Sequence, residues 1–409
     1  MRFETAPIQK ATNFIPKVLR ILNSDRLSNL PKGKNTRGAA ALALGALRAK
    51  GFFSVYSPEA GMDGWINSFD PHGTLPDPRI KELRVIIESM KDGEDKEKML
   101  KALAPSASSS GGFLEDPQFQ DLIAKIGYLQ EAASVSVYQD HRTSSSIADK
   151  LDDPTLHPDT LKQLKSAQEK STRLRLSSLR HVEDIALTSC LVGYTRGDYD
   201  PGRVILQLYL TSTRAGPLKY TVYTDTVRTE GIFIQFDPSQ TLAWVSRTSG
   251  VDMEIKNDFT SDLFQIQRKY SPSSVRPFRG SDDPWSRTQY VLLHTASHLL
   301  MRALGKFSGL EQEGLTEKIY PYQNGFMVYS NQNAEFGLGG LAMAFEHSLA
   351  DILDSMVQDS EVCPYNPECE TAFGACPACI YVAEISCENF NRILDRRKLA
   401  PSKVDSFWH

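Results

Sequence analysis

The pattern of apolar and polar positions predicts helices through the first part of the chain. Short helices are predicted at 16–23 and 38–50, the second of which is rich in alanine and leucine, the strongest helix formers. Longer helices are predicted at 79–103, 117–133 and 159–180. In the last two, apolar residues recur at the spacing of one helix face, so each should bury a single stripe.

From residue 203 the pattern changes to that of strands. Segments 203–210, 219–224 and 231–236 are rich in strand-forming residues and are bounded by Pro-Gly, Gly-Pro and Asp-Pro turns. They predict a small antiparallel meander. A strong helical pattern at 287–304 follows, and then two short strands at 318–322 and 325–330 predict a hairpin across Gln323-Asn324.

A glycine-rich turn, Phe336-Gly337-Leu338-Gly339-Gly340, precedes a predicted helix that ends near Val357. The amides of such a turn are able to face an anion, but glycines there more often allow a tight turn and close packing. We therefore favour the packing interpretation.

Composition places the chain among ordinary soluble proteins. Of its 409 residues, 41% are hydrophobic and 23% are charged. No apolar run approaches the roughly 18 residues that a membrane-spanning helix needs, so we expect no membrane partner. No signal-peptide pattern opens the chain, so a cytoplasmic location is expected.

The formal net charge is −4, but the charge is distributed unevenly. The first 50 residues carry ten basic and two acidic side chains. A basic segment of this kind is able to bind nucleic-acid phosphates, or else forms a solvated surface or contacts an acidic partner. The candidate phosphate contacts are Arg20, Lys32, Lys34, Arg37, Arg173, Arg175, Arg396 and Arg397.

Five of the six cysteines fall within 25 positions near the carboxyl end, in the pattern C-x5-C-x6-C-x2-C-x7-C. Zinc prefers four soft ligands in a tetrahedron, and a C-x2-C turn directs two thiolates at one ion. Four of the five cysteines are therefore predicted to bind zinc: Cys363, Cys369, Cys376, Cys379 and Cys387. Cys376 and Cys379 are the surest ligands and Cys369 is next, while the fourth is Cys387 or Cys363.

Two other uses of clustered cysteines are alternatives to zinc. A disulfide framework fits poorly, because the cluster has an odd number of cysteines and no signal peptide precedes it. An iron–sulfur cluster also takes four thiolates, so the spacing leaves it open.

No complete catalytic motif is present in the sequence. His294 and His298 are four residues apart on a predicted helix, as in a zinc protease, but Thr295 occupies the position of the general base. We interpret these histidines as buried or hinge residues. Lys32-Gly33-Lys34 suggests a phosphate loop, yet the first glycine and the hydroxyl after the lysine are missing.

Several landmarks occur together in the last third of the chain. They are His294-Thr295-Ala296-Ser297-His298, Tyr329, Gly337 to Leu341, the cysteines from Cys363 to Cys379, Cys387-Glu388, Asn391 and Leu394-Asp395-Arg396. In this order they resemble the MrfA-type zinc-binding domain, over roughly residues 285–400. A weaker similarity to DrmB-like helicase-associated proteins of the bacterial DISARM anti-phage system extends back to about residue 180.

This resemblance implies a structural zinc ion and a helicase or translocase partner. The sequence lacks the Walker lysine loop and the Asp-Glu-x-His box of a motor, so the expected function is a non-motor accessory subunit, DNA-associated and not an enzyme. The alternatives are a metal-dependent nuclease or hydrolase that uses His294 and His298, and a scaffold that binds only protein.

The expected fold is α+β, mainly helical, with a small antiparallel β-meander and a C-terminal four-cysteine zinc-binding helical domain. The expected organisation is a basic helical region at 1–103, a Ser/Gly linker at 104–112, a helical region at 113–180, a β-rich region at 181–284 and the zinc-binding domain at 285–409.

Overall fold

The computed structural model describes residues 15–26, 131–251, 283–331 and 338–409, with gaps at 133, 196–205, 209, 212–218, 221–222, 384–385, 388 and 390. The chain divides into two compact units. The first contains residues 1–21, 30–119 and 188–226, and the second contains 22–29, 120–187 and 227–409. The predictions for 38–50, 79–103 and 104–112, and most of that for 117–133, lie outside the described residues.

A seven-stranded sheet, a separate two-stranded pair and several helices make the fold of the described residues α+β. The sheet order is β1-β3-β7-β9-β8, and β2 and β4 pair with β3. Its strands are β1 (Ile15–Arg26), β2 (Ser144–Ser146), β3 (Leu176–Thr195), β4 (Leu206–Leu208), β7 (Tyr223–Phe236), β8 (Leu315–Tyr320) and β9 (Gly325–Ser330). A separate pair is formed by β5 (Leu210–Thr211) and β6 (Lys219–Tyr220).

Residues 131–132 and 134–138 are helical, on either side of the gap at 133. The helices that follow are α1 (Ile147–Leu151), α2 (Pro158–Arg173), α3 (Pro238–Ser249), α4 (Pro284–Phe307), α5 (Gly340–His347), α6 (Leu349–Glu361) and α7 (Glu368–Ala372). The helices α3 and α4 begin in the same way, with a proline in the first turn after a capping aspartate. The side chain of Asp283 accepts a hydrogen bond from the Ser286 amide at 2.7 Å, which satisfies a donor that the helix itself cannot pair.

The sheet of the second unit is covered on both faces. Along β7, Ile232 and Ile234 face the main core, whereas Phe233 between them packs in a second cluster with Tyr138 and Tyr320. The alternation follows from the two-residue period of a strand. Because both faces are buried at this point of β7, Ile232, Phe233 and Ile234 are apolar in succession instead of alternating with polar residues.

The helix α4 runs through the main core. Its residues from Leu292 to Met301 are all buried, so it lacks the polar face of a surface helix. It packs against α3, α6 and the β8–β9 hairpin. Polar side chains on such a helix must find partners inside the protein, and α4 carries two histidines. No helix among the described residues is both long and apolar enough to span a membrane.

The structure confirms several sequence predictions. The predicted helix at 287–304 lies within α4, and β8 and β9 form the predicted antiparallel hairpin, with Ile319 opposite Phe326. The predicted strand at 231–236 lies within β7. The helix predicted after the glycine turn is two helices, α5 and α6, which meet at Ser348.

Two helical predictions are wrong. Residues 16–23 lie in β1, which pairs with β3 and buries Leu22 in the second cluster. The helix predicted at 159–180 ends at Arg173, since Arg175 has a left-handed φ of 61° and β3 begins at Leu176. In both cases strand pairing, a long-range interaction, outweighs local helix propensity.

Candidate metal centre

Four thiols lie together after the end of α6. Cys363 follows that helix, Cys369 lies in α7, and Cys376 and Cys379 occupy a tight turn. The amides of Cys379 and Ile380 both donate to the carbonyl oxygen of Cys376, at 3.1 Å each. This turn directs both thiols of the C-x2-C pair to the same side.

The distances between the sulfur atoms fit one shared ion. Sγ of Cys363 lies 3.5 Å from Sγ of Cys376, which lies 3.6 Å from Sγ of Cys379. Sγ of Cys369 lies 3.7 Å from Sγ of Cys379. Tetrahedral zinc with bonds of about 2.3 Å separates its thiolates by roughly 3.8 Å. All five described cysteines are free thiols, so no disulfide competes for these four.

Main-chain amides and neighbouring thiols surround the sulfur atoms. The amides of Tyr365 and Cys376 donate to Sγ of Cys363 and Cys379, at 3.4 and 3.3 Å. Burial raises the pKa of Cys376, but hydrogen bonds from the thiols of Cys363 and Cys379 outweigh it and lower the pKa to about 7. The thiol of Cys376 therefore ionises more easily than an ordinary cysteine, and a bound metal ion would deprotonate the other three thiols.

The loop is held from outside by the segment Asp395-Arg396-Arg397. The guanidinium of Arg396 donates to the carbonyl oxygens of Ser360 and Glu361 at 2.9 and 3.0 Å. It also donates, at 2.6 Å, to Oδ1 of Asn366, a residue that lies between Cys363 and Cys369 in the sequence. Gly374, with a φ of 65°, approaches this segment so closely that an added Cβ would lie 2.3 Å from Oδ1 of Asp395.

Helix α4 holds the other side of the loop. Nδ1 of His298 lies 2.9 Å from the carbonyl oxygen of Ile380, the residue after Cys379. Nη2 of Arg302, one turn further along α4, donates to the carbonyl oxygen of Ala378 at 3.4 Å. The C-x2-C turn is thus supported by a core helix that contributes no cysteine.

The fifth cysteine of the pattern lies elsewhere. Sγ of Cys387 is 3.2 Å from Nε2 of His294 and does not join the four-thiol cluster. Burial and the carboxylate of Glu317 raise the pKa of Cys387, but His294 and His298 outweigh them and lower it. Of the two candidates for the fourth thiol, the structure therefore places Cys363 beside the other three.

The anion at the glycine turn is a side chain of the protein itself. Oε1 of Glu230, on β7, accepts hydrogen bonds from the amides of Gly339 and Leu341, at 2.6 and 3.1 Å. Its other oxygen accepts from the amide of Ala342 at 3.2 Å and lies 2.9 Å from Nε2 of His181. The amides at the start of α5 therefore face an anion, the alternative to the favoured packing interpretation, and this anion is an internal carboxylate.

The predicted phosphate contacts are scattered. Arg20 lies in β1, and Lys32, Lys34 and Arg37 are outside the described residues. Arg173 is exposed at the end of α2, while Arg175 donates to the carbonyl oxygen of His409 at 2.8 Å.

The prediction is wrong for Arg396, which is only 1% exposed and has its guanidinium enclosed by the carbonyl and amide oxygens described above. The neighbouring Arg397 forms an ion pair with Asp395, with Nε 2.7 Å from Oδ1.

Sequence reasoning missed two carboxylates. Glu317 and Glu230 are both buried on strands, where each faces a histidine. An acidic residue in an otherwise apolar strand is an available signal, but it does not indicate which distant partner the carboxylate meets.

The fold and the thiol cluster define a class of protein, an α+β chain with a buried four-cysteine group suited to a metal ion. No protein-family model matches the chain, so an MrfA-type domain is not identified in this way. A particular relative does support the resemblance to DrmB-like proteins. DISARM protein DrmB of Bacillus paralicheniformis is 31% identical to this chain over 193 residues.

The match to DrmB is partial on both sides. It covers 44% of this chain and 33% of the relative, so it spans about a third of the length of DrmB.

Proposed function

We propose that this chain is a non-motor accessory component of a DISARM-like bacterial anti-phage system that acts beside a helicase or translocase, with a structural zinc ion in the four-cysteine cluster. The single observation that carries the proposal is the 31% identity to DISARM protein DrmB over 193 residues. The sequence has no Walker lysine loop, which favours an accessory role over that of the motor.

The geometry of the four thiols supports a structural ion. Four protein ligands fill a tetrahedral zinc ion and leave no position for water or substrate, whereas catalytic zinc keeps one position open. Three of the four cysteines are also buried. The expected contribution of the ion is to order residues 363–379, which contain only one short helix, α7.

Exposed apolar side chains beside the cysteines support a protein partner. Val362 and Tyr365, on either side of Cys363, are each 63% exposed, and Phe373 at the end of α7 is 75% exposed. Exposed apolar surface of this kind is typical of interaction sites when it forms a patch. We place the partner contact here because the zinc would hold this loop rigid.

Co-purification tests the accessory role directly. The full chain would be co-expressed with a helicase or translocase encoded next to its gene and analysed by size-exclusion chromatography with light scattering. The expected result is one complex that contains both chains, and no nucleotide hydrolysis by this chain alone. Separate elution of the two chains, or hydrolysis by the isolated chain, would overturn the proposal.

Substitutions at the exposed residues separate docking from folding. Tyr365→Ser with Phe373→Ser should keep the zinc ion and weaken the complex at least about tenfold, as expected for the loss of aromatic anchors. The control is Val404→Ser, which removes an apolar side chain that is 71% exposed but lies outside the cysteine loop. Equal effects of the double substitution and the control would rule out this docking surface.

The DNA-associated part of the proposal is carried by exposed cations on α2. Lys162, Lys165 and Arg173 are exposed there, although Glu169 is exposed among them. Replacing all three cations with glutamine should reduce the slope of log affinity against log salt by about 2.7, since each phosphate contact releases counterions and contributes about 0.9. Fluorescence anisotropy with labelled DNA measures this slope, and Arg142→Gln, a single exposed cation outside α2, is the control.

A further inference from the structure

We propose that His294, His298, Glu317 and Cys387 form a second metal site that holds one structural zinc ion in the core of the second unit. The site is distinct from the four-cysteine cluster, with which it shares no ligand. The inference goes beyond the function proposed above and does not depend on it.

Three separate segments bring the four ligands together. His294 and His298 lie one turn apart on α4, so both face the same direction. Glu317 lies in β8, and Cys387 lies in the loop that follows the four-cysteine cluster. The two histidines and Glu317 are 0% exposed and Cys387 is 6% exposed, so the site is enclosed.

The distances between the ligand atoms are those of a compact coordination shell. All four ligand atoms lie within 4.8 Å of one another. Nε2 of His294 lies 3.2 Å from Sγ of Cys387 and 3.1 Å from Oε1 of Glu317, and Nε2 of His298 lies 3.6 Å from the same oxygen. Zinc bonds of 2.0–2.3 Å at tetrahedral angles predict ligand separations of roughly 3.3–3.8 Å.

The outer nitrogen of each histidine is held by a backbone carbonyl. Nδ1 of His294 lies 3.2 Å from the carbonyl oxygen of Ile393, and Nδ1 of His298 lies 2.9 Å from that of Ile380. A carbonyl oxygen only accepts hydrogen bonds, so each Nδ1 carries a proton and, in the neutral ring, the lone pair is on Nε2. Histidines that bind zinc are oriented by this type of hydrogen bond.

One of these inner nitrogens lacks a hydrogen bond. Nε2 of His298 is buried and has no hydrogen-bond partner among the described residues. A buried nitrogen left without such a partner destabilises the folded chain. A metal ion at the centre of the four ligand atoms would satisfy this lone pair and that of His294 together.

Hydrogen bonds also hold the other two ligands, Cys387 and Glu317, in position. Sγ of Cys387 accepts hydrogen bonds from the amides of Asn389 and Asn391, at 3.2 and 3.3 Å. The hydroxyl of Ser297 donates to Oε2 of Glu317, which leaves Oε1 facing the histidines. Donors of this kind stabilise an ionised thiolate and fix a carboxylate in place.

Charge balance favours a divalent ion. A thiolate and a carboxylate supply two negative charges, which neutralise Zn²⁺ when both imidazoles are neutral. Four buried ionisable groups without an ion would instead need protons to balance the same charges in a low-dielectric core, which is costly. The mixture of nitrogen, oxygen and sulfur ligands suits zinc, and four protein ligands leave no open position, so the ion is structural and not hydrolytic.

Metal analysis of the full chain tests the site. Protein purified from zinc-supplemented cells should contain about two zinc ions per chain, one for each tetrahedral ligand set. His294→Gln and Cys387→Ser should each remove about one ion and retain the ion at the four cysteines, because His294 contacts Ile393 and Cys387 and not the C-x2-C turn. His347→Gln is the control, because this histidine lies in α5 and is hydrogen-bonded to Thr160.

The outcomes distinguish this proposal from the previous one. If the wild type holds a single ion that Cys376→Ser removes and His294→Gln retains, the second site is disproved and the four-cysteine site stands. If His294→Gln removes the single ion and Cys376→Ser retains it, the four-cysteine site is disproved instead. A chain without stoichiometric metal overturns both.

X-ray absorption at the zinc edge tests the second site on the wild-type chain, so the result does not depend on whether a variant folds. Two sites with four and one sulfur ligands give an average of about 2.5 sulfur atoms per zinc in the wild-type chain, with nitrogen and oxygen completing the shell. An average near four sulfurs would exclude the second site. This measurement needs no substitution.

Discussion

The carboxylate of Glu230 accepts a hydrogen bond from the amide of Gly339 at 2.6 Å, across 109 positions of sequence. Two more amides at the start of α5 and the imidazole of His181 complete its shell. A side chain on β7 thus provides the negative charge that the amino terminus of a helix favours. The pair joins the glycine turn to the central sheet.

Glu230→Gln should lower the free energy of unfolding by about 2 kcal/mol at pH 7, because it removes a buried charge that accepts several hydrogen bonds. Urea denaturation measures the change. The control is Glu346→Gln in α5, the helix whose amides Glu230 accepts from. This substitution removes a partly exposed ion pair with Lys150 and should cost less than about 1 kcal/mol. Equal costs would contradict the role given to Glu230.

The contribution of Glu230 should depend on pH. Burial by itself raises the pKa of Glu230, but the hydrogen bonds from His181 and the Leu341 amide outweigh it and lower the pKa below its ordinary value of 4.5. A carboxyl with a lowered pKa in the folded state stabilises the protein above the unfolded pKa and loses that effect as the pH falls through the folded pKa. The difference between wild type and Glu230→Gln should therefore be full at pH 7 and shrink below about pH 4.5.

If the four-cysteine cluster holds the proposed zinc ion, Cys376→Ser should remove it and destabilise the second unit by more than about 3 kcal/mol, since such an ion would order the loop. Ala378→Ser is a matched control, because it adds a hydroxyl inside the same turn and keeps every thiol. Zinc content and thermal unfolding of both variants check the prediction. A Cys376→Ser protein with unchanged melting temperature would count against a structural ion.

Arg396→Gln should destabilise the protein by about 2–4 kcal/mol, because it leaves the carbonyls of Ser360 and Glu361 without their buried donor. Arg392→Gln, an exposed arginine four positions earlier, should change stability by less than about 0.5 kcal/mol. Chemical denaturation compares the two. If Arg396 instead contacted DNA, its loss would weaken DNA binding and leave stability unchanged.

Gly374→Ala should cost about 2–3 kcal/mol, and Gly250→Ala only about 1 kcal/mol. Both glycines have a left-handed φ, 65° and 70°, but an added Cβ meets Asp395 and Arg397 at Gly374 and meets nothing within 4 Å at Gly250. The difference between the two variants in denaturant midpoint therefore isolates the steric term. Similar midpoints would show that the Asp395 and Arg397 side chains move aside without cost.

Local patterns predict part of this structure. The apolar run of α4 and the turn at Gln323-Asn324 are encoded by neighbouring residues, and both were predicted from the sequence. The proximity of Cys376 and Cys379 likewise follows from their two-residue spacing. Spacing did not decide between Cys363 and Cys387, because that choice depends on how α4 and α6 pack.

Other features depend on tertiary structure alone. From the sequence, Arg396 and Arg397 are predicted to be surface cations. The sequence shows their charge but not the backbone carbonyl oxygens that accept hydrogen bonds from both guanidinium groups. The pattern His294-x3-His298 lacks a carboxylate within the helix, and Glu317 supplies one from a strand. The segment at β1 has a local helical pattern, which pairing with β3 overrides.

Helix α4 supports the C-x2-C turn through His298 and Arg302 without contributing a thiol. In a genetic screen for loss of function, alleles in this helix should therefore fall into the same phenotypic class as alleles of the cysteines. The stretch of the gene that specifies the metal-binding region therefore begins at least 65 codons upstream of Cys363, at the codon for His298.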